Sequence, residues 1–173
     1  MNRLMLRTAI AVGALALIAF GAAPASAQES GGSPFEDAEI VPRLGVTLGP
    51  EQLVVGVGFV LAGIADITHL EARPGIDLGF GDNQTTLRAS ANLGYSVPTS
   101  GGDVRVTPEV GISVQYSSFD APGNDGETQR SESDTNLGLN IGAAAQAGDL
   151  IFEAIVGLGD ISDISITVGI GVG

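Results

Sequence analysis

Residues 104–116, VRVTPEVGISVQY, divide by alternate positions into two unlike sets. Val104, Val106, Pro108, Val110, Ile112, Val114 and Tyr116 are apolar, whereas Arg105, Thr107, Glu109, Gly111, Ser113 and Gln115 are small, polar or charged. Successive side chains of a strand point to opposite faces, so a period of two commits the segment to a sheet with one greasy and one polar side. From Ile40 onward this pattern recurs in eight runs, roughly 40–49, 52–62, 69–80, 85–97, 104–117, 134–147, 149–159 and 162–172. No helical period survives for long, and the chain is read as all-β.

Turn-forming residues separate the runs: GPE (49–51), FGDNQT (80–85), PTSGG (98–102), AGD (147–149) and GDIS (159–162). Each is short enough for a hairpin, while GIADIT (63–68) has room for a helical turn. Residues 117–134, SSFDAPGNDGETQRSESD, carry no apolar period and are expected to form a polar excursion rather than strand. Eight runs joined this way predict an antiparallel up-and-down meander, long enough to close into a barrel.

Either face of such a barrel could point outward. A water-facing sheet surface normally mixes charges of both signs, with lysine prominent. Here the polar face is mostly glycine, serine, threonine and asparagine, and the chain has no lysine. Small residues suit the narrow bore of eight strands, which side chains just fill. Four arginines, Arg43, Arg73, Arg88 and Arg105, fall on the polar face within runs, and only Arg130 lies between them. In so acidic a chain this placement predicts that guanidiniums neutralise carboxylates inside the barrel.

The short turns also fix a register. If Phe80 faces Thr85, then Asp77 stands opposite Arg88 and Arg73 opposite Asn92. The GPE turn sets Arg43 beside Gly56 or Gly58, where missing side chains leave space for a guanidinium. An interior charge network of Arg43, Glu71, Arg73, Asp77, Arg88, Arg105, Glu109 and Glu153 is therefore expected. Outward valines in such number are stable only in lipid, where every backbone group must be paired and the sheet must close. The expected fold is an eight-stranded transmembrane barrel with a polar, side-chain-filled interior.

The N-terminus reads as an address. Arg3 and Arg7 precede a short apolar core, TAIAVGALALIAF (8–20), and Ala25 and Ala27 occupy the small positions of a cleavage site. A signal peptide is expected over 1–27, a flexible acidic leader over 28–39 and the barrel domain over 40–173. Cleavage would remove two of the seven positive charges and take the formal net charge from −13 to −15. That balance gives no footprint for nucleic acid, whose phosphates call for basic surface. Without cysteine, stability rests on burial and backbone pairing.

In its exported leader, its amphipathic strands and its polar segment 117–134, the chain resembles the small bacterial outer-membrane barrels of the OmpA/OmpX type. The resemblance covers nearly all of 40–173 and is one of pattern rather than motif. It implies a monomer in the outer membrane of a diderm bacterium, with lipid as its surroundings, both ends periplasmic and 117–134 at the cell surface. A surface partner there would be of unknown identity. Pro74 and Pro108 interrupt runs, and bulges are expected at both, because proline removes a ladder donor. Interfacial aromatics are sparse: Phe59, Phe80, Tyr95, Tyr116 and Phe152.

No catalytic, cofactor or metal site is expected. Some barrels of this size modify lipid A with a histidine, a serine and a carboxylate, but His69 is the only histidine and no serine lies two positions on. Asp120, Asp125 and Glu127 lack the spacing of a calcium loop. The competing architecture is a soluble, lipocalin-like barrel with its aliphatics inward around a small apolar ligand.

Overall fold

The structure, a computed structural model, describes residues 38–64, 67–121, 130–161 and 163–173. The strands are β1 (Glu39–Leu48), β2 (Gln52–Ala62), β3 (Leu70–Gly81), β4 (Gln84–Tyr95), β5 (Val97–Pro98), β6 (Val104–Ala121), β7 (Arg130–Ala147), β8 (Leu150–Gly159) and β9 (Ile164–Ile170). All pairings are antiparallel between chain neighbours, β1 pairs with β9, and β4 pairs with β6 to close the cylinder. The two-residue β5 continues β4, since Val97↔Val106 keeps the register of Gly94↔Glu109. The barrel thus has eight strand positions. Its sheet has no open edge around the middle of the cylinder, as lipid requires of a spanning sheet. The signal peptide expected over 1–27 and residues 28–37 of the leader expected over 28–39 lie outside the described residues, and Glu39 already belongs to β1.

The aliphatics point outward. Leu93 is 52 % exposed and Ile112 54 %, whereas Arg88 is 8 % exposed and Glu109 4 %. Ile40, Leu44, Leu53, Leu78, Val110, Leu139, Ile166 and Ile170 continue this outer belt around the cylinder. Tyr95 and Phe152 sit outward near the end where β1 begins and β9 finishes, called the termini end, and Phe80 and Phe119 near the far end.

The interior is layered. Val41, Val60, Ala144 and Ile151 form an apolar cluster near the termini. Mid-barrel is charged, and Thr47, Gln52, Thr86, Gln115 and Ser117 fill the far end. β1, β2 and β8 carry valine or isoleucine on both faces, which hides the inner apolar layer from a reading by alternation alone.

Two sequence expectations are corrected. No bulge forms at Pro74 or Pro108, and the register runs unbroken past both. Pro74 keeps its partner Ala91, and Pro108 its partner Ala143. On the other flank the ladder skips Phe59 and Val60 beside Pro74, and Tyr95 and Ser96 beside Pro108. Each proline thus weakens one seam locally instead of adding a residue. Second, the stretch 117–134 is largely strand: β6 runs to Ala121 and β7 starts at Arg130. Ser117 is buried inward and Phe119 turns outward, so the alternation continues past the expected boundary. Only 122–129 remains between the strands, outside the described residues. In the connection 63–69, Ile67 N–H donates to Ile64 C=O at 3.1 Å, and the helical turn expected over 63–68 falls partly on residues 65 and 66, outside the described residues.

Candidate functional site

The ionic layer is assembled from side chains that alternation aims inward on several strands. Short turns set the register: Phe80↔Thr85 places Asp77 opposite Arg88 and Arg73 opposite Asn92, and Arg43 faces Gly56. Backbone register does not choose the ionic partners. Arg43, not Arg88, takes Asp77, through Nε to Oδ1 at 2.7 Å and Nη2 to Oδ2 at 2.6 Å. The same guanidinium reaches Glu153 at 3.1 Å. Its space comes from glycine: a Cβ on Gly75 would lie 2.5 Å from Arg43 Nη2, and one on Gly58 3.3 Å from Nη1.

Arg73 extends the layer toward the termini. It lies 3.3 Å from Glu71, 3.7 Å from Glu109 and 4.0 Å from Glu153. Asn92 Nδ2 donates to Glu109 at 3.3 Å, Asn140 Nδ2 to Asn92 at 2.9 Å, and Ser113 to Asn140 at 3.0 Å. The fork geometry and surrounding amides matter because buried ions are stable only when paired and hydrogen-bonded.

Arg88 forms a second cluster. It donates to Gln115 Oε1 at 2.7 Å and is ion-paired to Asp163. Asp163 follows the far-end turn before β9 and was not among the residues singled out from sequence. Its signal was present: it opens the polar set of the last run, in step with Ser165 and Thr167. Arg105 stands apart from the layer. It is exposed near the termini and donates to Gln146 at 3.0 Å, because it sits at the start of β6, beyond the covered part of the bore.

Among the described residues, the ion-paired clusters hold three guanidiniums and five carboxylates, contributed by β1, β3, β4, β6 and β8 and by the segment before β9. The spaces left around Asp77 and Arg88 measure about 10 Å³ each, room for about one water apiece. This arrangement clamps non-adjacent strands together.

No family model matches the chain, and no curated protein matches it. Among solved structures, it is similar to the N-terminal β-barrel domain of Pseudomonas aeruginosa OprF, with TM-score 0.54 and 16 % identity over 78 % of this chain and 94 % of that one. It is also similar to a major outer membrane protein from Thermus thermophilus, with TM-score 0.56 and 13 % identity over 78 % of this chain and 98 % of that one. The fold is that of an eight-stranded outer-membrane barrel.

At the termini end of this outer-membrane barrel fold, His69 occupies a turn with φ 76°. Its ring meets Tyr95 edge-on at 6.0 Å, and its carbonyl accepts the Ser96 N–H at 2.8 Å. Pairing of β3 with β4 thereby brings a serine beside the histidine that sequence proximity did not. Among the described residues no hydrogen bond joins the His69 ring to Ser96 or Glu71.

Proposed function

We propose that the mature chain is a monomeric barrel spanning the outer membrane of a diderm bacterium, with a sealed bore and a structural or cell-surface interaction role. The observation that carries this reading is the inversion of faces, with Leu93 and Ile112 outward and Arg88 and Glu109 inward. Water-facing aliphatics covering a whole cylinder would far exceed the few hundred Å² of apolar patch usual on a soluble monomer. The height also fits. From Thr85 to Tyr95, β4 rises ten residues, roughly 33 Å along the strand, or roughly 25 Å along the axis at the ~40° tilt of such barrels. That is the height of a bilayer's apolar band in this class.

The termini end would face the periplasm, as the resemblance to OmpA/OmpX-type barrels implies, and the β6–β7 hairpin would face outward. This hairpin supports a surface role. β7 has described β8 partners only from Gly138 onward, so residues 130–137 project past that rim, roughly 25 Å along the strand. Glu132, Ser133, Asp134 and Thr135 are exposed there.

Fractionation tests the reading. The protein is expected to remain with outer membranes after carbonate washing and to migrate faster unboiled than boiled in a detergent gel. Recovery in the periplasmic extract without detergent would instead support a soluble carrier, a reading that the filled and charged mid-barrel disfavours.

A further inference from the structure

A hollow of about 380 Å³ opens at the termini end of the barrel, bordering the ionic layer at Glu71 and otherwise lined by Ala62, Gly63, Thr68, His69, Ser96 and Arg105. Three features of its wall point the same way. Ser96 is 2 % exposed, yet its Oγ finds no hydrogen-bond partner among the described residues. Arg105, whose one hydrogen bond is to the neutral Gln146, has no carboxylate within ion-pair distance among the described residues. Every ion-paired arginine of the bore contrasts with it. Glu71, the acidic member of the lining, turns to Arg73 at 3.3 Å and not to Arg105.

We propose that this mouth is a binding site for a small oxyanion, a molecule presenting a carboxylate or a phosphate. The guanidinium supplies charge and paired donors suited to either group. The Ser96 hydroxyl supplies a buried donor that is costly to leave unused, and Thr68 adds a second hydroxyl at the rim. The turn at His69 is what holds the site together: its carbonyl ties down the Ser96 backbone and its ring braces Tyr95. In a chain with so large an acidic excess, an unpaired guanidinium beside an orphaned hydroxyl attracts an anion that the rest of the surface repels.

The test is a titration of the full mature chain, folded in detergent micelles, with inorganic phosphate and separately with acetate. Amide and arginine Nε–H resonances are followed by NMR at constant ionic strength. Saturable shifts confined to Thr68, His69, Ser96 and Arg105 are expected with at least one probe at up to about ten millimolar, and the responding probe names the preferred group. Arg105→Gln should weaken binding about tenfold or more, while Arg130→Gln should leave it unchanged. Ser96→Ala should weaken binding without lowering the unfolding midpoint, since the hydroxyl makes no bond within the fold. Absence of saturation with both probes, or equal binding by the Arg105→Gln protein, would overturn the proposal.

Discussion

Arg43 grips Asp77 with two donors, at 2.7 and 2.6 Å, although Asp77 stands across the strand pair from Arg88. The fork joins β1 to β3 over the intervening β2, and Glu153 ties the same guanidinium to β8. Breaking one side of such a buried pair leaves a charge stranded. Arg43→Gln is expected to destabilise the barrel by about 3–5 kcal/mol, read from urea unfolding in lipid vesicles. Asp77→Asn on the Arg43→Gln background should cost much less than on the wild type, because the two changes remove one shared interaction.

Gly75 should be nearly as sensitive as the ions it accommodates. A methyl group there meets Arg43 Nη2 at 2.5 Å, and the guanidinium can retreat only by loosening its hold on Asp77. Gly75→Ala is expected to cost about 1–3 kcal/mol in the same unfolding measurement. An unchanged midpoint would show that the guanidinium has room to move.

Much of this was legible in the sequence, for a definite reason. A period of two assigns faces, and short turns assign register, so Asp77 opposite Arg88 and Arg43 beside Gly56 follow from counting residues. Which ions meet across the bore does not follow, because long side chains reach past their strand neighbours. Asp77 goes to Arg43, and Arg88 finds Asp163 from the far-end turn. The outer parts of β6 and β7 were hidden for another reason. Ser117 and Ser118 read as loop although β6 still pairs with β4 there, and residues 132–135 of β7 are exposed and polar, without described β8 partners, so their composition resembles a loop. Proline at 74 and 108 was legible as a lost donor, but not as a skipped rung in place of a bulge.

Depth should govern the cost of an outward charge. Ile112 lies midway between the aromatic levels, while Phe119 sits near the far rim. Ile112→Arg is expected to destabilise the barrel by about 2–4 kcal/mol and Phe119→Arg by about 0–1 kcal/mol beyond the loss of its ring. Equal small costs at both positions would be the behaviour of a water-facing surface.

The bore should not conduct. The spaces of about 10 Å³ around Asp77 and Arg88 hold about one water each, so the ionic layer is expected to interrupt any water column. Planar-bilayer recordings of the purified protein are expected to show no steady current. A stable ohmic conductance would require the ionic layer to open.

The orientation of the faces is tested most directly by placing spin labels one at a time on Val110 through Val114 of the cysteine-free chain in lipid vesicles, and measuring collisions with oxygen and with a water-soluble nickel chelate. Labels at Val110, Ile112 and Val114 should collide strongly with oxygen and hardly with nickel, whereas those at Gly111 and Ser113 should be shielded from both. Strong nickel collisions at Val110 and Ile112 would place these side chains in water and contradict the membrane barrel.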